Sequence, residues 1–91
     1  MNTETVIPTN IKIQFTTNPE KIVLYTTPLT ILNFTIIEKN IIDEMILFTG
    51  KGIDQNYNSV YVLISFIANT NKMTAVALLY NDINYIYKIK Q

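Results

Sequence analysis

The run from Ser59 to Ala68 is the densest apolar stretch of the chain and constrains its fold most strongly. β-Branched and aromatic residues dominate it, and both types fit a pleated strand better than a helix. Turn-forming residues flank it, Tyr57-Asn58 before and Asn69–Lys72 after. One face carries Val60, Val62, Ile64 and Phe66, and the other carries Tyr61, Leu63 and Ile67. The run therefore predicts a central strand that needs cover on both faces, from a second layer or from another molecule.

Alternating apolar and polar residues recur along the rest of the chain and predict about seven short strands. The predicted strands are 10–16, 21–27, 29–37, 45–49, 59–68, 73–80 and a last one that starts near Ile83. Asn18-Pro19 predicts a hairpin between the first two, and the last three should form a meander. This pattern predicts an all-β fold, either a small antiparallel β-sandwich (immunoglobulin-like or jelly-roll-like) or a barrel.

A single β domain is predicted over residues 10–91, preceded by a flexible N-terminal arm over residues 1–9. The arm is polar and Thr-rich, and it is interpreted either as plain disorder or as a segment that lies on a neighbouring subunit. Residues 38–46 are compatible with a single helical turn or with a loop. Gly50–Asn58 is predicted as the longest loop because it contains both glycines.

The composition argues against most kinds of active site. The chain has no Cys and no His, so the best nucleophile and the commonest general base are absent. The acids lie in predicted loops, and the oxygen-rich stretch Asp54–Asn58 lacks the carboxylate density of a calcium loop. Seven basic and seven acidic residues leave no positive field for nucleic acid. We therefore expect a protein that is not an enzyme and has no cofactor, no metal and no nucleic-acid partner.

The N-terminal residues lack the basic start and apolar core of a signal peptide. The longest apolar run is far below the ~20 residues that span a bilayer. The sequence thus predicts a protein that is neither secreted through a signal peptide nor inserted in a membrane. Its expected location is a virion or the host cytoplasm.

Only 15% of the residues are charged and the net charge is zero, so the surface is poorly protected against association. We therefore expect protein partners, in a homo-oligomer or a larger assembly. The heavy use of Ile, Asn, Lys, Tyr and Thr, with no Arg, indicates an AT-rich genome. The size of the chain and this composition resemble those of minor virion components of bacteriophages, such as capsid-decorating or auxiliary head proteins. The predicted contact residues are Tyr85, Tyr87 and Ile89 on the last strand, with Val6 and Ile7 in the arm.

The alternative function is a small phage-encoded inhibitor of a host defence or a β domain that sequesters a small ligand. A cavity with convergent polar groups would distinguish this alternative from the assembly role. The residues considered for such a cavity are Asn33, Asn56, Tyr57 and Asn58.

Overall fold

The computed structural model describes residues 3–9, 12–26, 29–70 and 72–89, with the backbone alone described over 3–9. The described chain is built from strands, which confirms the predicted all-β class. The eight strands are β1 (Thr3–Thr9), β2 (Ile13–Thr17), β3 (Glu20–Leu24), β4 (Thr30–Ile42), β5 (Met45–Asp54), β6 (Ser59–Ile67), β7 (Lys72–Leu79) and β8 (Ile83–Ile89).

All eight strands belong to one sheet, in the order β1-β8-β7-β6-β5-β4-β3-β2. Each neighbouring pair is antiparallel except β1 and β8, which run parallel. The predicted hairpin is present as β2–β3, and the predicted C-terminal meander is present as β6–β7–β8. Of the architectures expected from the sequence, this single sheet is nearest to the barrel.

The sheet is strongly curled. β1 and β2 lie at its opposite edges, yet only three residues separate Thr9 from Ile13, so the two edges lie within ~14 Å of each other. The rings of Phe15 on β2 and Phe66 on β6 are 5.8 Å apart. In a flat sheet these strands would be separated by about 19 Å, four strand spacings. The two phenylalanines therefore meet across a concave interior.

This curl covers the concave face of the central strand, one of the two faces for which the sequence predicts cover. Val60, Val62 and Ile64 of β6 point into the concave side and are fully or almost fully buried, whereas Tyr61 on the convex side is 44% exposed. The core consists of Ile22, Leu24, Leu32, Phe34, Val60, Val62, Ile64, Val76, Leu78 and Tyr87. One face of the sheet thus forms both walls of the core, and the opposite face remains outside.

The long β4–β5 hairpin differs from the prediction. Residues 38–46 are neither a helical turn nor a loop, because β4 continues to Ile42 and β5 begins at Met45. The prediction of a loop from Gly50 was also wrong, since β5 extends to Asp54. Phe34 explains the two glycines: it lies opposite Gly52, and a Cβ on Gly50 would overlap its ring. Gly50 leaves room for the Phe34 ring, and Gly52 allows the backbone of β4 at Asn33 and Phe34 to approach closely.

The N-terminal segment pairs with the end of the chain. Thr3–Thr9, within the predicted arm 1–9, forms β1 beside β8, while residues 1 and 2 lie outside the described part. The flexibility of the arm stays a prediction.

Candidate functional site

The five predicted contact residues lie on two paired strands. Val6 and Ile7 are on β1, opposite Ile86 and Tyr87 of β8. Tyr87 belongs to the core and is only 8% exposed, and Tyr85 is half-buried and packs against that core. Ile89 is half-buried at the end of β8. Both tyrosines thus contribute to the concave side of the sheet, and their contact with another protein stays a prediction.

Among the described strand residues, the most exposed large apolar side chains lie on β4. Ile37, Ile41 and Ile42 are 58%, 65% and 60% exposed. β3 pairs with β4 only through Thr30–Asn33, so residues 34–42 have β5 on one side and no paired strand of the described chain on the other. We call residues 34–42 the β4 edge. Unpaired strand edges can accept a strand from another chain.

A β-bulge interrupts the β4 edge between Ile36 and Glu38. Bulges twist a strand locally and limit uncontrolled edge-to-edge pairing. One acid and one base, Glu38 and Lys39, follow the bulge. The sequence pattern does not predict this surface, because it places Ile41-Ile42 in a helical turn or a loop. The lack of Gly, Pro or Ser among residues 35–42 was the signal that favoured a continuous strand.

A pocket of about 810 Å³ lies where β3, β5 and β7 end and where β4, β6 and β8 begin. Its size falls within the range of small-molecule sites. Polar and aromatic side chains from six strand ends line it, among them Thr26, Thr30, Asp54, Tyr80, Tyr85 and Tyr87. Asn56 and Asn58 also line it, as the cavity hypothesis anticipated, whereas Asn33 does not and Tyr57 points to solvent with 84% exposure.

Asp54 organises the wall of this pocket. Its Oδ1 accepts the backbone N–H groups of Asn56 (2.8 Å) and Asn58 (3.0 Å), and its Oδ2 accepts the Tyr80 hydroxyl at 3.0 Å. The Asn58 side-chain amide adds a weaker bond at 3.4 Å. Bonds from a carboxylate to the following backbone N–H groups fix a tight turn, and here Tyr57 adopts a φ of 65° within it. The carboxylate therefore ties the β5–β6 loop to the end of β7.

Burial and hydrogen bonding together shift the pKa values of Asp54 and Tyr80, and burial shifts that of Tyr87. Burial by itself would raise the pKa of Asp54, but the N–H groups of Asn58 and Asn56 and the Tyr80 hydroxyl hold that pKa below its usual value of 3.8. Burial raises the pKa of Tyr80, and its bond to the Asp54 carboxylate raises it further. Burial also raises the pKa of Tyr87, with a contribution from Tyr85. At neutral pH the pocket wall thus combines a charged carboxylate with neutral Tyr80 and Tyr87.

Three tyrosines form the aromatic part of the wall. The rings of Tyr80 and Tyr85 meet edge to face, with centroids 6.2 Å apart and planes at 84°. Tyr87 lines the pocket beside them. Within the described chain, the hydroxyls of Tyr85 and Tyr87 make no hydrogen bond. The sequence placed Tyr85 and Tyr87 on one face of a strand, and the curl of the sheet turns that face toward the pocket.

The other acidic residues are not gathered into a catalytic or metal-binding group. Asp43 and Glu44 form the β4–β5 turn, far along β5 from Asp54. The part of the chain that the structure describes contains no cluster of three His, Cys, Asp or Glu side chains suited to a metal ion. In the loop considered for calcium, Gln55 donates to the Leu29 carbonyl at 2.6 Å and accepts from the Ile31 N–H at 3.0 Å.

The described residues contain no helix that is long and apolar enough to cross a bilayer. Comparison with protein-family models, with curated proteins and with solved structures finds no match for this chain.

Proposed function

We propose that the chain is a non-enzymatic structural or assembly protein that acts through protein–protein contacts. The setting we propose is a bacteriophage virion, in which it would be a minor component such as a capsid-decorating or auxiliary head protein. The observation that carries the contact role is the β4 edge, where Ile37, Ile41 and Ile42 are each more than half exposed on a strand with an open side.

Burial of these isoleucines supplies part of the driving force. Each side chain has more than half of its surface still in water, so its burial would contribute about 1–2 kcal/mol. The three together reach roughly 3–6 kcal/mol, which is comparable with the lower estimates of the cost of association, ~4 kcal/mol. Stable contact therefore also requires the backbone N–H and C=O groups of the open edge to pair with a partner strand.

The low charge of the molecule supports self-association. The net charge is zero and charged residues are 15% of the chain, so two copies repel each other little. Glu38 and Lys39 are adjacent on the edge, which provides an opposite charge for each in an approaching strand. A second copy of the chain is thus the simplest partner, and a homo-oligomer is the form we propose.

Size-exclusion chromatography with light scattering over a concentration series tests this proposal. We expect the wild-type protein to exceed the 10.5 kDa of one chain, and we expect Ile41→Lys to return it toward that mass. Ile53→Lys is the matched control, because Ile53 is also exposed on this hairpin but lies on β5 away from the β4 edge. Circular dichroism verifies that both variants fold. A wild-type mass of one chain at every concentration would refute the homo-oligomer.

The virion setting requires its own measurement. Mass spectrometry of purified particles from the native source should detect the chain in a fixed ratio to the major shell protein. Its absence from such particles would refute the virion role and leave the contact role to be judged by the light-scattering result.

The pocket favours a second candidate function, a β domain that sequesters a small ligand. Its support is the convergence of Asp54, Asn56, Asn58 and three tyrosines around one cavity. Native mass spectrometry of the protein from its source should reveal a bound small molecule, and loss of that molecule in a Tyr85→Leu variant would locate it. A ligand-free wild-type protein would contradict this function.

A further inference from the structure

The charges around the pocket have one sign. Asp54 and Asp82 both line it, and no basic residue is among its described lining residues. Anions such as phosphates or carboxylates would be repelled by this wall and would find no Lys or Arg to bind. The electrostatic field in the pocket therefore favours a positively charged ligand.

The hydrogen bonds of Asp54 restrict what kind of cation fits. Two backbone N–H groups, the Asn58 amide and the Tyr80 hydroxyl occupy its two oxygens. A carboxylate offers about four acceptor positions, so Asp54 has no free position for a metal ion or a strong hydrogen-bond donor. Its charge acts through space instead, which suits a cation that donates few hydrogen bonds.

The tyrosines supply the surface that such a cation prefers. Tyr80 and Tyr85 stand at 84° to each other with centroids 6.2 Å apart, and Tyr87 extends the wall. An alkylated ammonium within about 6 Å of an aromatic ring is attracted by the electron-rich face of that ring. Tyr87 lines the pocket and is only 8% exposed. Its hydroxyl has no hydrogen-bond partner within the described chain. A polar group in that position is available to a ligand.

We propose that this pocket binds an organic ammonium cation of the quaternary or alkylated amine class. The tyrosines provide the cation–π contact, and Asp54 and Asp82 provide the compensating negative charge. The hydroxyls of Tyr85 and Tyr87 accept a hydrogen bond from a polar substituent or donate one to it. This inference rests on the second candidate function, ligand sequestration, and is independent of the assembly role of the β4 edge.

A matched pair of probes tests the class of ligand. Choline is titrated into the purified full chain, and its binding is followed by NMR of the backbone amides. The parallel titration uses 3,3-dimethyl-1-butanol, the uncharged isostere of choline in which carbon replaces the nitrogen. We expect choline to shift the amides of residues around Asp54 and Tyr85 and to bind about tenfold more tightly than the isostere, the difference that one cation–π contact provides. Equal affinity for the two probes would overturn the proposal, and so would the absence of choline binding.

Two variants locate the interaction. Tyr85→Leu should weaken choline binding about tenfold, whereas Tyr61→Leu, the same change on the convex face, should leave it unchanged. Asp82→Asn should weaken it about two- to fivefold at low salt and less at high salt, because Asp82 is exposed and its charge is screened. Asp43→Asn in the distant β4–β5 turn is its control. Equal effects of Asp82→Asn and Asp43→Asn would contradict a local charge contact.

A neutral saccharide is the third probe. If glucose binds with shifts in the same amides and choline does not, the pocket is a ligand site of another class, so this inference fails while the sequestration function stands. If choline binds and glucose does not, the ammonium class of the ligand and the sequestration function both stand.

Discussion

The contact of Phe34 with two glycines of β5 yields the sharpest prediction about the stability of the molecule. A Cβ on Gly50 would overlap Cδ2 of the Phe34 ring and would lie 3.0 Å from its Cε2. A Cβ on Gly52 would overlap the carbonyl oxygen of Asn33 and would lie 2.6 Å from both Cα and Cβ of Phe34. The first conflict is mainly with the Phe34 ring, with the Thr35 carbonyl oxygen a lesser contact at 3.2 Å, and the second is mainly with backbone. The two glycines should therefore respond differently when the Phe34 ring is removed.

The expected magnitudes follow from these contacts. Neither glycine has a positive φ, so alanine fits the local backbone and would by itself stabilise by about 0.4–1 kcal/mol. Steric overlap in a packed interior costs about 1–3 kcal/mol or more. We expect Gly50→Ala to lower the free energy of unfolding by about 1–2 kcal/mol, since the ring can shift slightly. We expect Gly52→Ala to cost about 3 kcal/mol, since β4 itself must move away from β5.

Urea denaturation of a double-mutant cycle measures the difference. Phe34→Val removes the ring carbons and keeps a residue suited to a strand, at a cost below the ~3–5 kcal/mol of complete truncation to alanine. In the Phe34→Val background, Gly50→Ala should be nearly neutral, which corresponds to a coupling of about 1–2 kcal/mol. Gly52→Ala should retain its full cost there, because valine keeps the Cα and Cβ atoms with which it conflicts.

Either of two results would refute this account. An unchanged cost of Gly50→Ala after loss of the ring would mean that Phe34 does not occupy the space above Gly50. A neutral Gly52→Ala would mean that the two backbones are not as close as the register Phe34–Gly52 requires.

Three further changes test the pocket wall and the curl of the sheet. The pKa of Asp54 is held below 3.8, so its contribution to stability is complete above pH 3.8 and is lost as the pH falls toward the folded-state pKa. Asp54→Asn should therefore flatten the dependence of the urea midpoint on pH below about pH 5. An identical pH dependence in the wild-type protein and the variant would count against this role. Tyr80→Phe removes a hydrogen bond to that carboxylate and should cost about 1.5–3 kcal/mol in urea denaturation, with acid-induced loss beginning at higher pH; a neutral effect would contradict the bond. Phe15→Ala should lower the free energy of unfolding by about 2–3 kcal/mol in the same assay, because the half-buried Phe15 ring contacts the rings of Phe34, Phe48 and Phe66 across the interior. A loss as small as that at a surface position would argue that the sheet is not closed there.

Local patterns were sufficient to predict the all-β class and two parts of the strand order, the β2–β3 hairpin and the C-terminal meander. The period-two alternation of Ser59–Ala68 separated Val60, Val62 and Ile64 from Tyr61 correctly, and the structure buries the first set. The short turns also indicated which consecutive strands pair. These features depend on residues close in sequence, which is why the hairpin β2–β3 and the C-terminal meander could be predicted.

The β4–β5 hairpin could not be predicted in the same way. Gly50 and Gly52 normally indicate a loop, and their role in a strand depends on Phe34, which lies 16 and 18 positions earlier. Only the register between β4 and β5 reveals that pairing. The exposed edge of β4 depends on another nonlocal fact, the short length of β3, because four residues of β3 pair with a strand of thirteen.

The pocket also depends on nonlocal closure. Tyr85 and Tyr87 share a face in the sequence pattern, but the pattern alone could not determine whether that face meets a partner or the interior of the same sheet. Asp54 and Tyr80 are 26 positions apart, and their bond forms only because β5 and β7 end on the two sides of β6. Asn56 and Asn58 were among the polar residues considered for a cavity, but their bonds to Asp54 were not predicted.

The two proposed functional regions can be tested separately because they occupy opposite ends of the same hairpin. Met45 at the β4–β5 turn and Asp54 at the pocket are nine positions apart on β5, a distance of about 30 Å in an extended strand. Substitutions so far apart, with no shared contacts, usually have additive effects. Ile41→Lys should therefore alter the oligomeric mass without changing choline affinity, and Asp82→Asn should do the reverse. If Ile41→Lys also weakened choline binding, association of subunits would have to complete or reshape the pocket, and the assembly and ligand roles would then be two parts of one function.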